Sequence, residues 1–383
     1  MRHNRSAWAV VALALTTVGA HADNLMGFPP AASDTERALE SRFSQSLSAS
    51  DQLEWMRALS AHPHHVGSAH GKANAEYIAS LFREWGYDVE TKVYDILLPV
   101  PKSRALEMTT PHAFTASLRE RTLEEDPSTA VRDDLLPPYN AFSVDGDVAA
   151  EVVFVNYGVK EDYEELTRYG IDVAGKVVIA KYGGSWRGIK PKLAAEHGAI
   201  GCLIYSDPAD DGYARGDVYP DGPFKPETGV QRGAVMDLPL RPGDVLTPYV
   251  GAVKRARRLD LDEVETLTRI PVLPISWADA LPLLEALGGP VAPTAWRGAL
   301  PVTYHLGPGP TRVHLKLEFD WRRVPAYDVI ATLEGATYPD QWIVRGNHHD
   351  GWNHGAADPI SGLVALLSEA KAIAALAREG SPP

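Results

Sequence analysis

At 383 residues the chain is too long for one ordinary domain and long enough for two sizeable cores. Hydrophobic residues at 45% and charged residues at 23% sit near globular averages, which argues against a disordered or fibrous chain. A formal net charge of −13 argues against nucleic acid as a partner, since such binding rests on neutralising phosphates with lysine and arginine.

Arg2 and Arg5 precede an apolar run from Ala7 to Ala20 and then Ala20-His21-Ala22. This is the layout of a secretory leader at residues 1–22, cut before Asp23, so the mature protein is expected to be exported, periplasmic or secreted. The run is shorter than the ~20 residues a span needs, and no later stretch reads as apolar enough, so no membrane association is expected after cleavage. Cys202 is the single cysteine, which excludes an internal disulfide; within the apolar run 199–205 it reads as a buried, inert thiol.

Apolar residues at helical spacing predict amphipathic helices over 34–60 and 72–85, the second ended by Gly86. Alternation predicts a strand over 88–98, closed by Pro99 and Pro101. Between about Leu98 and Arg322, β-rich runs at 151–156, 175–182, 199–206, 271–275 and 313–319 alternate with helical segments at 162–169, 190–196 and 278–287. This reads as a separate α+β insert spanning 98–322. Strand-like segments at 327–333 and 342–345 and an apolar helix at 362–378 then resume an α/β pattern, so one domain is expected from 23–97 together with 323–383.

The chemistry concentrates near the end. His348 follows a β-run, at the kind of strand tip where ligand-binding residues gather in open α/β sheets. Asp350 stands two residues on, able to engage the second ring nitrogen and so fix the tautomer, the usual support of a zinc-bound histidine. Asp358 precedes Pro359 at a helix start, from which its carboxylate could bridge two metal ions. Taken alone, Asp-Pro is also an ordinary N-cap with proline at the first helical position.

Together, Gly346, His348, Asp350, Trp352, Gly355, Asp358, Pro359, Ser361 and Gly362 match a Gly-x-His-x-Asp-x-Trp…Gly-x-x-Asp-Pro-x-Ser-Gly pattern. The chain thereby resembles the M28 metallopeptidases, in the glutamate carboxypeptidase and transferrin receptor branch. The resemblance implies that His348 binds one zinc ion, that Asp358 bridges two, and that Asp350 orients the site as a catalytic residue. The insert is similar to the family's protease-associated (PA), or apical, domain, through Gly175–Gly183, Trp186-Arg187-Gly188, 205–210, 219–222, 229–233 and Trp296-Arg297-Gly298. In that likeness Arg187 reaches the substrate's terminal carboxylate, a task suited to a planar bidentate donor. Ala234 stands where glutamate carboxypeptidases carry asparagine, so the likeness does not extend to a strict preference for C-terminal glutamate. Thr247 and Tyr249 loosely match calcium-binding positions of the branch.

The implied fold is a zinc-exopeptidase-type α/β/α sandwich with the inserted domain, and the implied activity is hydrolysis of short peptides. A transferrin receptor-like binding protein and an aminopeptidase remain as alternatives. After Asp358 only Glu369 and Glu379 follow, neither where the family places its Glu-Glu general-base pair. The sandwich is therefore expected to be incomplete and the chain inactive alone, with a homodimer only where the family's helical dimerisation domain is present. His62, His64, His65 and His70 read as a connecting loop without a carboxylate at ligand spacing, and His349 and His354 as bystanders.

Overall fold

A computed structural model describes residues 25–381, so the expected leader and its cleavage point lie outside the described residues. The chain divides into two units, residues 1–47 and 48–383. In the first, helix α1 (Pro30–Ser46) opens on Pro29-Pro30, and Ser33 Oγ accepts from Leu25 N at 3.2 Å. The single helix expected over 34–60 is in fact interrupted. The chain is extended at Leu47, and α2 (Ala49–Leu59) starts afresh with Ser48 Oγ accepting from Asp51 N at 3.2 Å. A serine offering its hydroxyl to the first free N–H groups nucleates a new helix rather than continuing an old one.

Within the second unit, α2, α3 (Ala69–Glu84) and α8 (Ser361–Arg378) enclose one core, formed by Trp55, Leu59, Ile78, Phe82, Leu363 and Leu367 among others. The segment Ala356–Arg378 is, against the sequence reading, long and apolar enough by composition to cross a membrane, with a mean hydropathy of 1.7. Its Leu363, Val364 and Leu367 are buried in this core, the face that a soluble helix makes apolar.

A second, larger core surrounds a seven-stranded sheet. Strand β1 (Asp88–Thr110) pairs antiparallel with β9 (Arg312–Thr332) along almost its whole length, from Asp88↔Thr332 to Thr110↔Arg312. Pro99 and Pro101 therefore do not close the strand. They face Trp321 and Phe319, and β1 has its other neighbour, β2 (Phe114–Thr115), only at Glu107 and Met108, so the missing N–H groups lie on an open edge. A register shift between Pro101 and Ser103 absorbs the remaining misfit. The expected strands at 313–319 and 327–333 are one continuous strand.

Strand β4 (Gly146–Phe154) adds antiparallel to β9, and β5 (Val177–Lys181), β6 (Gly201–Tyr205) and β8 (Val272–Ile275) continue in parallel, giving the order β2-β1-β9-β4-β5-β6-β8. Helices α4 (Lys160–Arg168), α5 (Ile189–Glu196) and α7 (Trp277–Glu285) lie at the segments read as helical. The fold is thus a mixed α/β structure around a central sheet. Every residue of β5, β6 and β8 is buried, as continuous apolar runs covered on both faces should be. Cys202 is fully buried, and burial pushes its thiol up to about 12, so no thiolate forms near neutrality. Just past β6, buried Asp207 accepts from Tyr205 Oη (3.0 Å), Tyr304 Oη (2.6 Å), Ala209 N (2.9 Å) and Ala299 N (2.8 Å). Gly298 sits against this carboxylate with no room for a Cβ. A two-residue parallel bridge, β3 (Asn140–Ala141) with β7 (Gly233–Ala234), and the short α6 (Pro208–Asp211) complete the elements.

One expected strand is absent. Residues 342–345 are irregular, and Trp342, Ile343 and Val344 are 83%, 90% and 81% exposed. No strand among the described residues pairs with them, and an extended run without a ladder partner has nothing to satisfy its backbone but water.

Candidate functional site

The segment between β9 and α8 is held from several directions by backbone bonds rather than by sheet pairing. His64 N donates to Asn353 O (3.3 Å), and Gly351 N donates to His64 O (3.2 Å). His349 Nε2 donates to Tyr327 O at 2.8 Å, tying the loop to β9. Asn347 Nδ2 reaches Pro359 O at 3.1 Å, and the indole of Trp352 meets Tyr139 edge-on with ring centroids 5.7 Å apart. Glycines make the close approaches feasible: a Cβ on Gly351 would stand 2.9 Å from His64 Nε2, and Gly355 holds φ at +58°. Asp358 is extended (φ −128°, ψ 107°) inside the turn Ala356–Ile360, which turns its carboxylate out of the helix before α8 begins. The ordinary capping role considered for Asp-Pro is not seen, since no side-chain cap bond forms there.

This scaffold brings three of the four sequence-predicted residues together. His348 Nε2 lies 3.1 Å from Asp358 Oδ1, while His348 Nδ1 donates to Asp350 Oδ1 (3.2 Å) and Asp350 O (3.1 Å). One ring nitrogen is thus occupied by Asp350 and the other faces a carboxylate. All three side chains are open to solvent, Asp358 the most at 88%. His348 does not sit at a strand tip, because the strand expected before it does not form; loop anchors position it instead.

The donor set fits a zinc ion in kind. Neutral imidazole and carboxylate are both zinc ligands at about 2.0–2.2 Å, and two ligands of one tetrahedral ion stand roughly 3.4 Å apart, near the separation seen here. No group of three or more His, Cys, Asp or Glu side chains arranged to hold a metal occurs among the described residues. Among the described residues, the pair offers two donors of the kind a zinc ion takes.

Arg187 lies elsewhere in the insert. Its guanidinium packs flat on the Gly233 backbone, where any Cβ would collide with it, and its Nε is buried without a hydrogen-bond partner. Of the loosely matched calcium positions, Thr247 is buried with its hydroxyl donating to Asp244 Oδ2 (2.8 Å), whereas Tyr249 is exposed beneath the Arg241 guanidinium, 4.9 Å from its ring centroid.

Sequence reasoning missed His64. It is fully buried, its Nδ1 donates to His62 O (3.0 Å), and its main chain carries two of the anchors of the site loop. Burial holds its imidazole below the ordinary value of 6.5, and the same cause lowers His354. Only the folded backbone reveals this role, for the His-rich tract at 62–70 lies about 290 positions from the loop it supports.

Comparison with known proteins agrees with this architecture. A PA domain model matches residues 144–238. The chain is 35% identical over 332 residues to "Probable glutamate carboxypeptidase VP8" of Zea mays, covering 86% of this chain and 43% of that protein. It is 32% identical over 362 residues to "Aminopeptidase NAALADL1" of Mus musculus, covering 88% and 47%. Among solved structures, a peptidase M28 precursor from Shewanella amazonensis SB2B shares the fold with a TM-score of 0.51 at 16% identity, covering 89% of this chain and 64% of that one. An α/β protein with a PA domain and a His-x-Asp…Asp-Pro loop is the class so defined. The chain carries a PA domain, is similar over most of its length to glutamate carboxypeptidases and aminopeptidases, shares its fold with a solved M28 peptidase, and spans about half the length of the curated relatives it matches.

Proposed function

We propose that the chain is part of a zinc-dependent exopeptidase that hydrolyses short peptides, of the glutamate carboxypeptidase or aminopeptidase kind. The observation that carries this reading is the convergence of His348 Nε2 and Asp358 Oδ1 to 3.1 Å with Asp350 on the far ring nitrogen. In this reading the leader directs export, residues 98–322 form the apical domain, and 23–97 with 323–383 contribute to the peptidase domain.

A bound zinc pair would supply Lewis acidity toward the peptide carbonyl and an activated water. The chain's own residues prepare for it. Asp350 keeps the proton on His348 Nδ1 and so presents the Nε2 lone pair to the metal. Asp358, projected by its extended backbone, would offer its carboxylate as a further ligand to the metal. Arg187, whose buried Nε lacks an acceptor, holds the carboxylate of the peptide.

Zinc titration of the full chain by calorimetry tests the assignment. His348→Ala and Asp358→Asn are expected to remove measurable binding, and Asp350→Asn to weaken it about 10–100-fold. Undiminished zinc affinity in His348→Ala would overturn the reading.

A further inference from the structure

A cavity of about 490 Å³ opens among the end of β1, residues 118–120, residues 132–138 and Arg232, and it shares no residue with the His348–Asp358 loop. Its charged lining is Arg104, Arg119, Arg132 and Arg232 against a single carboxylate, Glu120. In a chain whose net charge is −13, four guanidinium groups around one small space are the reverse of the overall balance.

Glu120 does not neutralise them. Its two oxygens are taken by Arg232 in a forked bond (Nη1–Oε1 3.2 Å, Nη2–Oε2 2.7 Å), and Oε1 also accepts from Val230 N at 3.1 Å. Arg232 turns its remaining donors to Leu136 O, and its side chain is only 3% exposed. The other charges have neutral acceptors or none. Arg104 donates to Pro138 O (2.6 Å) and Leu118 O (3.4 Å), Arg132 donates to Thr122 Oγ1 (3.1 Å) and Glu120 O (3.4 Å), and Arg119 is exposed. Carbonyl oxygens orient a guanidinium without cancelling its charge, so three positive groups face one space uncompensated. Burial, and then the nearness of Arg232 and Arg119, push Arg104 down to about 10, a sign of the same crowding.

We propose that this cavity is a binding site for a small polyvalent oxyanion, a phosphate or a polycarboxylate, gripped by Arg104, Arg119 and Arg132 above the Arg232–Glu120 pair. The volume lies in the lower part of the range for small-ligand sites, about 300–1,000 Å³, and guanidinium forks match both oxyanion classes. The Arg232–Glu120 pair forms the floor, and Arg104 and Arg132 are oriented by their carbonyl and hydroxyl acceptors before a ligand arrives.

The test is calorimetric titration of the full chain with inorganic phosphate and, separately, with citrate, at ionic strength fixed with sodium chloride. Saturable 1:1 binding with Kd below about 1 mM is expected for at least one of them. Tighter phosphate binding assigns a phosphoryl ligand, and tighter citrate binding a carboxylate one. Arg119→Gln/Arg132→Gln should weaken binding at least tenfold while the melting temperature without anion stays that of the parent. Arg255→Gln, on exposed surface elsewhere, should bind as the parent does. A melting temperature that rises with phosphate in the parent and not in the double variant gives the same answer independently. Absence of saturable binding to both anions, or a double variant that binds like the parent, overturns the proposal.

Discussion

Strand β6 and the segment Trp342–Val344 are built from similar apolar side chains and end in opposite environments. The first is fully buried between β5 and β8, with Cys202 opposite Val178 and Val272; the second stands in solvent with no ladder on either side. Strand character is a property of a pair, and apolar sequence supplies only half of it. In β6 both edges are taken in parallel, by β5 and by β8. For 342–344, β9 is already taken up by β1 on one edge, and its pairing with β4 ends at Leu317, well before the site loop.

This contrast can be broken at its strong end. Leu203→Ala, in the middle of β6, should destabilise the fold by about 2–5 kcal/mol, read from urea denaturation followed by tryptophan fluorescence. Asp207→Asn keeps the shape beyond β6 but turns an amide group toward donors, and about 1–3 kcal/mol should be lost in the same assay. At the loop, the contrast is sharpened by pH. His64 is buried with its pKa lowered, so the unfolded chain takes up the proton first as pH drops below 6.5. The stability it contributes is complete above that value and is lost as pH falls through the folded-state pKa. Denaturation midpoints should decline in that direction, and the decline should be shallower in His64→Gln. Last, Ile343→Ser should change stability by no more than about 0.5 kcal/mol, since the side chain has little contact to lose. A large effect there would mean that the exposed run has a partner in solution.

Much of the insert was legible because its strands are short, apolar and bounded by glycine and proline, and because α4, α5 and α7 repeat at helical spacing. Residue types and spacing alone leave Asp358 as readily an N-cap as a ligand; it is the combined His-x-Asp and Asp-Pro-x-Ser-Gly pattern, and the family resemblance it carries, that points to His348 and Asp358 meeting, which the geometry shows. Three features were not legible. Pro99 and Pro101 look like strand terminators until one knows that β1 is open on the edge where their missing N–H groups would point. The stop at Ser46 depends on a serine cap two residues later, which local hydrophobic periodicity does not reveal. The anchoring of the site loop by His64 runs through main-chain groups, and side-chain identity at 64 carries no trace of it.

The β1–β9 ladder has a further consequence for how the chain reaches its native state. Its partners are about 200 or more positions apart, and no shorter connection links the two strands. Closing so long an excursion is entropically costly before any contact repays it, and such distant pairing slows folding. The intervening sheet, with its neighbouring parallel strands, brings the two ends of that excursion together as it forms. The β1–β9 ladder should therefore zip late, from Thr110 and Arg312 toward Asp88 and Thr332, and the histidine loop that follows β9 should be among the last parts of the molecule to find its place.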